Sequence, residues 1–189
     1  EGAIDSFRVV AGLYAESVQL ITMDPEIKSV ADLAGKAVSI GAPGSGVYFN
    51  AVDVLAAAGL TENDIQAQYQ SFADSTDALK DGKIDAAFIV AGAPTPAITE
   101  LCTTNDAYLV PIDGEIAEKI MADCPFYTTY SIPAGTYPGQ EADVTTVTVK
   151  ATLIVDAAAS EDDAYNLTKA IFNNASAIAA ETAKGNELS

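Results

Sequence analysis

Lys36-Ala37-Val38-Ser39-Ile40-Gly41-Ala42-Pro43-Gly44-Ser45-Gly46-Val47-Tyr48-Phe49 is the stretch whose reading decides the fold. Lys36 to Ile40 has the β-branched character of a strand, and the glycines that follow break it. Tyr48, Ala51, Val52, Leu55 and Ala58 then recur at helical spacing, and Gly59 ends that helix. A strand handing over to a helix through a tight glycine turn is a building unit of α/β folds.

The turn also carries chemistry. Gly41 and Gly46 have the glycine spacing of a phosphate-binding loop, but Val47 and Tyr48 stand where that loop needs Lys and Ser or Thr. The dinucleotide pattern fails as well, because Gly44-Ser45-Gly46 is followed by Val47-Tyr48-Phe49. Nucleotide binding is thereby disfavoured. A more general property remains: the first N–H groups of a helix have no internal acceptor and carry partial positive charge, so they suit a small anion. Glycine allows close approach to that backbone, and Ser45 adds a hydroxyl. The alternative for Ser45 is an ordinary helix N-cap.

Outward from the turn, strands and helices alternate. Phe7 to Val10 and Ser17 to Met23 read as two strands, and Ser29 to Leu33 as a helical turn closed by Gly35. Thr61 with Asp64, and Ser160 with Asp163, have capping-box spacing. Gln66 to Ser71 suits a strand, and Asp74 or Ser75 starts a helix ending at Asp81-Gly82. Ile84 to Val90 is a nearly continuous apolar run, expected of a strand buried on both faces. Pro94 fits the first turn of a helix reaching Leu101. Tyr108 to Ile112 follows as a strand, then a helix from Asp113 to about Ala122, a long β-rich run from Val144 to Val155, and one long helix over Glu161 to Lys184. The pattern predicts an α/β fold with mainly parallel strands and no internal repeat.

Composition narrows the function. The 189 residues are 49% hydrophobic, enough for a core, and carry a net charge of −18 from 27 acidic and 9 basic side chains. No two cations are neighbours, so the clustered charge that nucleic acid or an anionic membrane requires is missing. Histidine is absent, which removes the commonest general base and metal ligand together, and with them any Ser-His-Asp or Cys-His site. No catalytic residue, metal or cofactor is assigned. Glu161-Asp162-Asp163 suits the positive end of a helix dipole better than a carboxylate pair. Cys102 and Cys124 are too far apart for a CxxC pair; a disulfide and two inert buried thiols both remain open. Cys124 to Gln140, the longest uncharged stretch, is broken by Pro125, Pro133 and Pro138 and is no spanning helix. Glu1 to Arg8 does not read as a signal peptide.

Leu13-Tyr14-Ala15-Glu16-Ser17-Val18-Gln19-Leu20, the run from Ile27 through Gly46, Asp81-Gly82-Lys83-Ile84-Asp85-Ala86, Gly92-Ala93-Pro94 and Ile132-Pro133-Ala134-Gly135-Thr136-Tyr137-Pro138-Gly139-Gln140 together resemble the TAXI family of TRAP-transporter solute receptors. The resemblance covers nearly the whole chain in the family's order. It implies a type II periplasmic-binding-protein-like fold of two lobes with mixed or parallel sheets, closing over a small carboxylate such as glutamate. The solute would pass to TRAP membrane permease subunits in an extracytoplasmic compartment. Pro43, Gly44, Ser45, Gly46 and Val47 are the implied ligand loop; Tyr14, Glu16, Gly92, Ala93 and Pro94 are the implied cleft residues. Val47 stands where relatives often have threonine, which removes one hydroxyl contact.

Family members begin with a further glycine-rich stretch that this sequence lacks. The resemblance therefore divides the chain into an incomplete first lobe, 1–20 with 130–189, and a second lobe, 21–129. Sheet edges left open in the first lobe lead to an expectation of self-association. An enzyme or a sensor domain on the same hinged fold is the competing reading.

Overall fold

A computed structural model describes residues 4–188 of the chain. Residues 1–3 and 189, at the ends of the range assigned to the first lobe, lie outside the described residues. The chain forms two compact units, one of Glu1–Ala15 with Lys150–Ser189 and one of Glu16–Val149.

Among the described residues seven strands make the sheet: β1 Phe7–Thr22, β2 Ala37–Ser39, β3 Gln66–Gln68, β4 Ala86–Ala91, β5 Tyr108–Val110, β6 Thr128–Ile132 and β7 Val144–Asp156. Their order is β3-β2-β4-β1-β7-β6, with β5 also paired to β1. The helices are α1 Gly46–Ala57, α2 Phe72–Lys80, α3 Pro96–Thr104, α4 Gly114–Asp123, α5 Glu161–Asn173 and α6 Ala175–Glu181. The fold is mixed α/β. β2 runs parallel to β3 and β4, whereas β1 is antiparallel to β4 and β5, and β6 to β7. Among the described residues parallel pairing joins β2 to β3 and β4, whereas the alternation of elements predicts mainly parallel strands.

In the Glu16–Val149 unit the sheet is buried on both faces. Val18 and Leu20 of β1 and Ala86, Phe88 and Val90 of β4 point into one core with Val54 and Leu55 of α1 and Ile120 of α4. Ile21, Ala87 and Ile89 point the other way, against Leu79 of α2 and Ile98 and Leu101 of α3. Alternation by single residues along β1 and β4 therefore fills two cores, and this double burial is why Ile84 to Val90 is apolar at every position but Asp85.

Four local expectations are corrected. Phe7 to Val10 and Ser17 to Met23 are one continuous strand, β1. The second helix begins at Phe72, because Ser71 caps it by accepting from the Asp74 amide at 3.2 Å. α3 begins at Pro96, not around Pro94: Thr95 is its extended N-cap (φ −97°, ψ 127°), and the Ala93–Pro94 peptide is cis. A proline forces its predecessor out of the helical region, so of two prolines the second takes the first helical position. The long C-terminal helix divides at Asn174, whose side-chain amide donates to the Ala170 carbonyl at 2.7 Å in competition with the backbone ladder. β6 was not foreseen. Cys102 and Cys124 are both free and half-buried, each packed against a different one of the two cores.

Candidate functional site

β2, β3 and β4 run in the same direction, so their carboxyl ends form one edge of the sheet, the place where open α/β sheets present their loops to ligands. Gly41 to Gly46 leaves β2 at this edge, Tyr69-Gln70-Ser71 leaves β3, and Gly92-Ala93-Pro94-Thr95 leaves β4. β1 runs back along β4 with Ser17 opposite Ala91, which brings Glu16 and Ser17 to the same edge. α1, α2 and α3 all begin there.

The glycine turn is held by its own backbone. Ile40 N–H donates to the Gln68 carbonyl at 2.9 Å, and Ser45 N–H donates to the Ala42 carbonyl at 3.0 Å. Gly41 and Gly44 have φ of +84° and +74°, values that glycine alone adopts without strain. At Gly41 even a methyl group would collide, since a Cβ there would lie 2.7 Å from that of Val47. At Gly44 and Gly46 nothing lies within 4 Å of such a Cβ, so space stands open over the turn.

Ser45 is the N-cap of α1, its Oγ accepting from the Tyr48 amide at 3.2 Å. That leaves the hydroxyl proton free to donate outward. The amides of Gly46 and Val47 have no acceptor among the described residues, as the first two positions of a helix require. The turn therefore presents two N–H donors and one O–H donor at the positive end of a helix dipole.

Of the residues expected to touch ligand, Pro43, Gly44 and Gly46 are exposed and Ser45 and Val47 half-buried within this turn. Gly92 is half-buried, Ala93 buried and Pro94 exposed on the neighbouring loop. Glu16 is half-buried, and its carbonyl accepts from Thr148 Oγ1 at 2.9 Å. Tyr14 belongs to the other unit, where it lines an apolar pocket of about 200 Å³ with Leu13, Ile171, Ile178 and Leu188.

Sequence reasoning missed the groups that hold this edge in place. Gln19 and Tyr137 are 1% and 2% exposed, and the Tyr137 hydroxyl donates to Gln19 Oε1. Gln19 Nε2 donates to Thr95 Oγ1 at 2.9 Å and to the Ala91 carbonyl at 3.1 Å, and the Thr95 amide donates to Tyr137 Oη at 2.9 Å. This network fixes the loop after β4. Gln140 steadies the segment that delivers Tyr137 by donating to the Ile132 carbonyl at 3.1 Å. A glutamine in the middle of the apolar run Ser17 to Ile21 was the available signal. Ser17 Oγ and Gln70 Oε1 are buried at the same edge without a partner among the described residues.

Three rings flank the first turn of α1. Tyr48 and Phe49 meet edge to face at 5.3 Å, and Tyr69 lies 6.3 Å from Tyr48. Both tyrosine hydroxyls donate to Glu62, each at 3.1 Å, and those bonds raise both phenols above the ordinary tyrosine value. Among the described residues no three acidic or cysteine side chains come together as a metal site would need, and no helix is long and apolar enough to cross a membrane.

The NMT1-like family matches this chain over residues 1–189. Solved structures with partial likeness include the periplasmic aliphatic sulphonate binding protein SsuA from Escherichia coli, at 24% identity and TM-score 0.44 over 52% of this chain and 33% of that one. The alkanesulfonate-binding protein SsuA from Xanthomonas axonopodis pv. citri, solved with MOPS, is 28% identical with TM-score 0.44 over 56% of this chain and 36% of that one. The substrate binding protein of an amino acid ABC transporter is 14% identical with TM-score 0.48 over 97% of this chain and 62% of that one. The chain thus spans from a third to under two thirds of the length of these proteins.

Proposed function

The chain belongs to the NMT1-like family, and from that premise we propose that it is the solute-recognising part of an extracytoplasmic transport receptor, which binds a small carboxylate and does not turn it over. The observation that carries this reading is the pair of open amides at Gly46 and Val47, beside the free proton of Ser45. A carboxylate oxygen meeting two such donors exchanges water for charge-assisted bonds at no cost in reorganisation, because the helix already holds the donors in place. The loops at Gly92 to Pro94 and at Glu16 share the edge and would shape the rest of the site. In this reading the lobes are 1–20 with 130–189 and 21–129, and the bound solute is delivered to TRAP-type membrane permease subunits. Glutamate and related acids are the ligands that the resemblance to the TAXI receptors implies.

A net charge of −18 works against any anion at long range. Screening confines that repulsion to about 8 Å at physiological salt, so oriented amides at contact distance decide affinity.

The test is a proline at position 46. Gly46 is the first residue of α1, Ser45 before it is extended (φ −75°, ψ 159°), and a Cβ at 46 meets nothing within 4 Å. Proline suits that position and deletes one of the two donors without disturbing the helix. Calorimetry with L-glutamate, succinate and phenylacetate should find a binder, and Gly46→Pro should weaken it by about 1.5–3 kcal/mol, the range for a hydrogen bond to a charged group. Unchanged affinity would remove the turn from the site.

A further inference from the structure

We propose that the ligand of this edge is a monocarboxylate with a planar apolar body, an aryl or arylalkyl acid, and not a dicarboxylate. The inference rests on the reading of the glycine turn given above and replaces the glutamate-like solute that the resemblance implies with an apolar monocarboxylate.

The first ground is where the cations are. In the Glu16–Val149 unit, Lys36 immediately precedes β2 and bonds Asp24 at 3.3 Å, while Lys80 and Lys83 lie between the end of α2 and the start of β4. Lys28 follows the end of β1, which pairs with the beginning of β4. All four stand at the amino ends of the parallel strands, opposite the candidate site. Lys119 is in the middle of α4, paired with Glu115 at 3.2 Å. Within this unit no cation is available to the second charge of a dicarboxylate. Glu16 and Asp74, both carried by segments at the carboxyl edge, would repel it.

The second ground is the surface beside the open amides. Phe49 is 58% exposed, and its amide donates to the Ser45 carbonyl at 3.4 Å, so it lies one helical turn beyond Ser45 on the same side of α1. Helical side chains lean toward the N-terminus, which directs this ring over the first turn. Tyr69, 49% exposed, continues the ring surface through Tyr48, and Glu62 fixes both phenols by their hydroxyls. Exposed aromatic side chains anchored in this way offer ring faces at little entropic cost.

The third ground is independent of the helix terminus. Ser17, 0% exposed, has a hydroxyl without a partner among the described residues, at the rung where β4 ends and the Gly92 loop begins. Gln70, next to Tyr69, has its buried Oε1 in the same condition. Buried polar atoms are nearly always satisfied, so these exceptions at the carboxyl edge point to groups completed by a bound molecule. Ser17 shares the face of Gln19 and Ile21, so it would meet that molecule from the α2 and α3 side of the edge, across from the turn.

The experiment measures phenylacetate and succinate binding to the full chain by calorimetry, on wild type, Phe49→Ala, Phe49→Leu and Tyr69→Ala, with circular dichroism confirming each fold. Phenylacetate should bind the more tightly, and either alanine variant should weaken it by about threefold to tenfold while leaving succinate unmoved. Phe49→Leu should fall between wild type and alanine. Succinate binding as well as phenylacetate, or a ratio that Phe49→Ala and Tyr69→Ala leave unchanged, overturns this inference and leaves the receptor reading standing. Binding of neither acid to the wild-type chain overturns both.

Discussion

Tyr137 and Gln19, 118 positions apart in sequence, are bonded to one another inside the protein, hydroxyl to side-chain carbonyl. The same phenol accepts the Thr95 amide at 2.9 Å, so one side chain satisfies both a buried acceptor and a buried donor. Tyr137→Phe keeps the ring and strands both groups. We expect a loss of about 1–3 kcal/mol in urea unfolding, the cost of leaving a buried polar group unpaired. A loss below about 0.5 kcal/mol, the scatter of an ordinary surface substitution, would mean the network does not hold the loop after β4.

Gly41 and Gly44 separate two costs that are usually mixed. Both have positive φ, but only at Gly41 does a Cβ meet its neighbour, Val47, at 2.7 Å. Gly44→Ala should cost about 1–2 kcal/mol, the strain of the left-handed region for an L-residue. Gly41→Ala should cost clearly more. Equal unfolding midpoints for the two variants would contradict the packing of Val47 against the turn.

Acid should loosen the segment before β2. The Asp32 carboxylate is held below its ordinary value first by the Lys28 amide, then by the Ser29 hydroxyl and the Ser29 amide. Its folded value is depressed, so its contribution is complete above the ordinary aspartate range and is lost as pH falls through the depressed value. The urea midpoint of the wild-type chain should therefore drop faster than that of Asp32→Asn between about pH 5 and pH 2. Parallel curves would show that the amides do not prefer the charged form.

What sequence revealed was local or doubly enforced. Thr61 with Asp64 and Ser160 with Asp163 were legible because a cap and its partner are three residues apart; in the structure the Thr61 amide meets Asp64 at 2.8 Å and the Asp163 amide meets Ser160 at 3.1 Å. β4 was legible because two cores demand apolar residues at successive positions. The start of α3 was misjudged because Pro94 and Pro96 compete for one role, and Pro96 holds Thr95 out of the helical region, so the helix cannot begin before it. The break at Asn174 was missed because apolar spacing continues across it while a single side-chain amide interrupts the backbone. Of the candidate site, the glycine turn was evident from its own residues. Phe49 was not, since an apolar residue early in a helix has no mark that separates a ring facing solvent from one facing the core. Ser17, Gln19 and Gln70 acquire meaning only from partners, or missing partners, brought near by the fold.

Asn174 has a mechanical consequence. α5 and α6 have 13 and 7 residues, lengths of roughly 20 and 10 Å at the rise of an α-helix. Segments this short do not hold themselves together in water, so each takes its stiffness from the surface it packs on. A single rod would carry a push from one end to the other. In a jointed pair the backbone ladder is interrupted at one residue, so bending between Glu161 and Glu181 should concentrate at Asn174.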